Sequence, residues 1–385
     1  MAAWIVGPPE CPDQVYPTDR ELACNAAKWP RKTLPTTAIT TELDWGNLTD
    51  RADGSKLGGM GSARYIFDLT DALDNAGLPR DHTSPSVTGI PPFFEFRGPN
   101  KTVDMTTERG TLEASMRSYG AHILRERAKG KLGYFAYGLG SHEPQPPSTN
   151  SAADIEAAIQ SVMVPRVEIA AKVAESVNAE VFAPFPGEAD ILATLPGLSG
   201  IAPSERFRLV QLLVDTVRTT SKKYFTGKLM GASAWRYYPT DHPVYSTIDM
   251  SKINWQGFDI VEFTLLLATN DHCDATYTLA FLAAQTAKIN EMAQRDHFAW
   301  GSAEIDIFTF DSVTKATTTG GCTTNARDAY FPALDAALQA FLNAPSRPAI
   351  LNFANGPSAW SNDVTFLDEL KGKLNTFSAA IKAPK

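Results

Sequence analysis

The stretch EVFAPFPGEAD, residues 180–190, decides how the chain is read. It begins as a short apolar run of the kind that forms a buried strand, and it breaks at Pro, Gly and the acids Glu188 and Asp190. A second stretch, AWGSAEIDI at 299–307, repeats the arrangement and carries Glu304. If both runs are parallel strands of one barrel, Glu188 and Glu304 meet at one mouth.

Working outward from these two, strand-like segments recur along the chain: TAITTELDW (37–45), SVTGIPPFFEFRG (86–98), GYFAYGLG (133–140), KLMGASAWRY (228–237), FDIVEFTLLL (258–267) and PAILNFANG (348–356). They alternate with patterns of helical spacing at 63–77, 107–129, 152–178, 204–225, 275–295, 326–343 and 364–381. Parallel neighbours need a helix-sized crossover, so this alternation implies a parallel sheet. Eight strand candidates predict a single (β/α)8 TIM barrel over 37–385, with an irregular, Pro-rich N-terminal extension over 1–36 wrapped around it. An open doubly wound sheet is the alternative architecture.

Composition bounds the function. The chain has 385 residues, 43% of them hydrophobic, and so can bury a large core. A net charge of -8 with no run of Lys or Arg argues against nucleic acid as a partner. No apolar run approaches the ~20 residues that span a bilayer, so a membrane partner is not expected either. Oligomeric state leaves no signature. The N-terminus lacks the basic region of an intact signal peptide. Cys11 and Cys24 flank the Pro-rich extension, whereas Cys273 and Cys322 fall in neighbouring loops of the expected barrel face. That placement favours two disulfides and a secreted, extracellular protein; four unrelated buried thiols are the alternative. None of the four has metal-ligand spacing.

In a barrel of this kind the chemistry gathers where the strands end. Those ends offer Glu42 and Trp45 on the first strand, Arg97 on the second, His142 after the third and Glu188 on the fourth. They add Trp235 and Tyr237 on the fifth, Glu262 on the sixth, Glu304 and Asp306 on the seventh, and Trp360 beyond the eighth. Acids and aromatics dominate. Flat sugar faces stack on Trp and Tyr while carboxylates bind the hydroxyls, and glycoside hydrolysis needs two carboxyl groups in different protonation states.

This layout resembles the large clan of retaining (β/α)8-barrel glycoside hydrolases, whose acid/base Glu ends strand four and whose nucleophilic Glu ends strand seven. The resemblance covers the chain from residue 37 onward as strand order. It implies Glu188 in PFPGEAD as acid/base, Glu304 in GSAEIDI as nucleophile and Arg97 as the cation beside that nucleophile. Trp360 would give an aromatic floor for the sugar, and Tyr237 would take the place of the clan's strand-six Tyr. Where the clan has Asn before the acid/base, this chain has Gly187.

The expected activity is therefore hydrolysis of a glycosidic bond in a poly- or oligosaccharide, with retention through a glycosyl-enzyme and with no cofactor. Metal-dependent hydrolases fit poorly because no HxH or HExxH occurs. A Schiff-base aldolase fits poorly because Lys228 begins its strand. The competing reading is a catalytically silent barrel that binds carbohydrate or builds a structural assembly. A transglycosidase using the same pair would differ only in its acceptor.

Overall fold

A computed structural model describes residues 18–43, 74–83, 105–136, 151–184, 201–233, 250–266, 275–306, 326–356 and 364–384. Seven strands form one parallel sheet. They are β1 (Ala38–Leu43), β2 (Tyr134–Ala136), β3 (Val181–Ala183), β4 (Lys228–Ser233), β5 (Ile260–Leu266), β6 (Ala299–Asp306) and β7 (Ile350–Gly356). Their order is β1-β7-β6-β5-β4-β3-β2, as expected for consecutive strands laid side by side and curled.

Each expected helix with described residues appears within a few residues of its place, though the first is described only from residue 74. The helices are α1 (Asp19–Ala26), α2 (Met105–Ala128), α3 (Ala152–Ala158), α4 (Val164–Ser176), α5 (Pro203–Tyr224), α6 (Ala275–Asp296), α7 (Ala326–Asn343) and α8 (Val364–Lys382). Local chemistry sets their starts. Thr18 and Ser151 cap α1 and α3 in reciprocal pairs with Glu21 and Asp154, which satisfy main-chain donors the first turn leaves free. One continuous helix was expected over 152–178, but a π turn, Ile159–Met163, separates α3 from α4. Pro165 follows at the start of α4, where its ring and missing N–H disturb the preceding turn.

Strand alternation sorts the core into two clusters. Ile39, Phe135, Phe182, Leu229, Val261, Phe263, Trp300, Leu351 and Phe353 pack against the helices. Ala38, Tyr134, Ala136, Val181, Ala183, Met230, Ile260 and Ile350, one place along in each strand, pack against each other inside the curl. The inside is thus a filled lumen, and each large side chain buried outside it contributes about 1.5–3 kcal/mol.

The strand expected at 86–98 lies outside the described residues. Among the described residues, 80–83 bridge the two edges of the sheet through isolated pairings, Arg80 with Thr40 of β1 and His82 with Leu132 just before β2. Asp81 N–H donates to the Ile39 carbonyl at 2.7 Å, and the Asp81 carboxylate accepts from Ile39 N–H at 2.8 Å. On the other side Leu132 N–H donates to the Asp81 carbonyl at 2.8 Å and Thr83 N–H to the Leu132 carbonyl at 3.0 Å. The Thr83 hydroxyl then accepts from Tyr134 N–H and donates to the Tyr134 carbonyl, both at 2.8 Å.

Charge braces the N-terminal ends of the strands. Arg127 and Glu180 form a fully buried pair at 2.5 Å, and Arg127 also donates to the Trp29 and Pro30 carbonyls at 2.7 and 2.9 Å. Residues 29–32 are thereby fastened beneath β2 and β3, with Arg31 donating to the Ala179 carbonyl at 2.7 Å. Around residues 74–81, Arg80 pairs with Asp74 and Glu126, and Lys131 with the same two acids. Burial alone would raise the Glu126 carboxyl; His122, then Arg80, Lys131 and Lys129, outweigh it and hold the group well below the ordinary carboxylate range.

Cys24, on α1, is disulfide-bonded; the other three cysteines, Cys11, Cys273 and Cys322, lie outside the described residues. Among the described residues no helix is long and apolar enough to cross a membrane.

The seam at 80–83 yields a direct expectation. Thr83→Val keeps the shape of the side chain but leaves Tyr134 N–H without its Thr83 acceptor and the Tyr134 carbonyl with the Tyr119 hydroxyl as donor, so it should cost about 2 kcal/mol or more in urea unfolding. Thr83→Ser, which keeps the hydroxyl, should cost about half of that or less.

Candidate functional site

The mouth formed by the strand ends receives two of the nine expected site residues within the described backbone. Glu42 lies in β1, at the step where pairing to β7 slips between Thr41 and Leu43. Glu304 lies in β6, paired with Thr264 of β5. Only β7 separates their strands, so the two positions share one sector of the rim. Glu188, Arg97, Trp45, His142, Trp235, Tyr237 and Trp360 lie outside the described residues.

β3 ends at Ala183, five residues before Glu188. β3 and β6 have β4 and β5 between them, which sets them on opposing walls of the curl. The strand ends that lead to the two expected carboxylates therefore face each other across the mouth.

Beneath the mouth lies a polar layer that sequence reasoning caught only in part. Thr40, His82, Tyr134, Glu262 and Asn352 are all buried to 1% exposure or less. They occupy the lumen places of their strands or of the seam, where a barrel of this type is ordinarily filled by branched apolar side chains. Glu262, expected as an acid that must be paired or face the mouth, is paired: the Tyr134 hydroxyl donates to its Oε2 at 2.8 Å. β2 and β5 are themselves separated by β3 and β4, so this bond is a strut across the lumen. Tyr134 lies at the start of β2, away from the strand ends where site residues were expected. The alternation of GYFAYG does carry the signal, since 134 shares a face with 136.

His82 stands beside the strut, its ring 5.4 Å from that of Tyr134. Its Nδ1 lies 2.8 Å from the Thr83 carbonyl, an acceptor, so Nδ1 carries the proton and Nε2 is the bare nitrogen. Nε2 has no hydrogen-bond partner among the described residues. Burial pushes the ring's pKa down to about 4, which keeps it neutral at ordinary pH. Burial likewise lowers His122, on α2, to about 3.

Among the described residues no group of His, Cys, Asp or Glu could hold a metal ion.

No protein-family model matches the chain, and no curated protein matches it. Three solved structures that align with most of the chain have TM-scores below 0.5. A family 5 glycoside hydrolase from Prevotella bryantii, solved with a xyloglucan tetradecasaccharide, has a TM-score of 0.48 at 11% identity over 88% of this chain and 95% of that one. A family 113 β-mannanase from Alicyclobacillus acidocaldarius has a TM-score of 0.43 at 12% identity over 91% and 98%. An endo-β-1,4-mannanase from Cellulomonas fimi has 0.41 at 14% over 90% and 69%. At these values the likenesses assign this chain neither a family nor a substrate.

The neutral, buried His82 makes stability depend on pH. The unfolded chain takes up a proton near the ordinary histidine value of 6.5, whereas the fold resists it down to about 4. Between those values the unfolded state binds more protons, so stability falls as pH falls, by about 3 kcal/mol in all. Urea unfolding at pH 7.5 and pH 4.5 should show this loss, and His82→Gln should shrink it.

Proposed function

We propose that this chain is a glycoside hydrolase that cleaves poly- or oligosaccharides with retention of configuration. Glu188 protonates the leaving oxygen and later deprotonates water; Glu304 attacks the anomeric carbon and carries the glycosyl ester. Arg97 keeps the nucleophile ionised by its positive charge. Trp45, Trp235, Tyr237 and Trp360 bind the sugar faces, and Glu42 and His142 bind its hydroxyls.

The observation that carries this reading is the disposition of β3 and β6. They end on opposing walls of one mouth, and one leads within five residues to Glu188 while the other contains Glu304. Two carboxyl groups working on one glycosidic bond need that opposition, at about 5–5.5 Å for retention. Every residue named belongs to the chain itself, and the step requires no cofactor. An extracellular setting goes with the reading, since the disulfide at Cys24 is stable only where thiols are oxidised. Cys11 is the proposed partner of Cys24, and Cys273 that of Cys322.

The test is turnover of a panel of aryl glycosides and polysaccharides by the wild type, Glu188→Gln and Glu304→Gln, with azide added. Each substitution should lower kcat by about 100-fold or more. Azide should give a glycosyl azide of inverted anomer in Glu304→Gln and of retained anomer in Glu188→Gln. Wild-type activity left intact by both substitutions would move the acid and nucleophile elsewhere. A chain that binds sugars from the panel and turns none over would be the silent barrel.

A further inference from the structure

Strand β6 changes face halfway along. Trp300 and Ile305 both lie in the cluster between sheet and helices, yet residues five apart fall on opposite faces of a regular strand. The ladder to β5 shows why. Glu262 and Thr264, two residues apart, pair with Gly301 and Glu304, three apart. One extra residue in β6 is taken up as a bulge. In a regular strand, position 304 would share the helix-side face of Trp300; the bulge transfers it to the lumen face, where Thr264 and Glu262 lie in β5.

Three features hold the bulge in place. At its start Gly301 lets β7 come so near that a Cβ would sit 2.8 Å from the Ile350 carbonyl oxygen. Within it Ser302, completely buried, donates its hydroxyl to the Phe263 carbonyl at 2.7 Å. Phe263 is the β5 residue that the slipped register passes over, so the hydroxyl satisfies main chain at the step where the ladder is broken. From across the lumen, the bond from Tyr134 to Glu262 braces β5 one layer below.

We propose that Ser302 is a positioning residue: by fixing the bulge it holds residue 304 on the lumen face of β6, at the mouth. The inference rests on the reading of Glu304 as nucleophile, and it adds a group that never touches the sugar. Loss of the hydroxyl lets the strand slip toward regular pairing, which misplaces the carboxylate rather than the sugar-binding groups of the other strands. The effect belongs in kcat, with KM little changed.

The experiment compares full-length wild type, Ser302→Ala, Ser302→Thr and Glu304→Gln by hydrogen exchange over 299–306 and by kcat and KM on the best substrate of the panel. Ser302→Ala should speed exchange at residues 303–305 by about 10-fold or more, a local opening. It should also lower kcat by about 10- to 100-fold with KM within about two-fold. Ser302→Thr, which keeps the hydroxyl, should restore both. Unchanged exchange in Ser302→Ala overturns the proposal whatever the activity does. Unchanged kcat in Ser302→Ala, with Glu304→Gln inactive, overturns it while leaving the reading of Glu304 standing. If Glu304→Gln remains active, that reading fails and the positioning role of Ser302 fails with it.

Discussion

A parallel sheet that curls on itself must satisfy the main chain of its first and last strands, and here that duty falls on residues 80–83. Without the seam, β1 and β2 would each present an open edge, and the lumen between them would admit water. With it, Tyr134, Glu262, His82, Thr40 and Asn352 stay buried to 1% or less. Burial strengthens the hydrogen bond from Tyr134 to Glu262, because a polar contact gains strength as the local dielectric falls. The same burial keeps His82 neutral. Closure, floor and protonation state are thus one constraint seen from three sides.

The two faces of each strand then do different work. The helix side is aromatic and aliphatic, and Phe135, Phe182 and Phe225 run along it with ring centroids 6.0 and 5.5 Å apart. The lumen side is apolar at the bottom, where Val181, Met230, Ile260 and Ile350 meet, and polar above, where Thr40, Glu262 and Asn352 lie. A residue's face is settled by parity alone, so one added residue in β6 is enough to exchange the faces of the positions beyond it.

Periodicity made most of this fold legible. Seven strands and most helices follow from alternation at two and at 3.6 residues, because each element buries one face against a neighbour. The seam escaped for a physical reason. PRDHT, at 79–83, has no apolar alternation, since Asp81 and Thr83 use their side chains as stand-ins for ladder partners. The segment 86–98, rich in Phe and β-branched residues, was assigned the second strand and lies outside the described residues. Residue type singled out Glu304 and Glu262 as candidates at the strand ends, but no pattern in GSAEID announced the bulge. A small hydroxyl beside a glycine is common in strands, and its meaning appears only against Phe263 on the neighbouring one.

The π turn between α3 and α4 reads differently once the spacing of its buried residues is considered. Ile155, Ile159, Met163 and Val167 follow one another at intervals of four and are all buried. An α-helix turns about 100° per residue, so each interval of four overshoots a full turn by about 40°. Three intervals would carry the stripe about a third of the way around the helix and off the core. The wider π turn takes back that excess. The helix therefore works as a vernier, in which residue count is converted into rotation. Losing or gaining one residue before 159 would turn Ile155 by about 100°, and Glu156 with it, away from the Arg208 of α5 that it now meets.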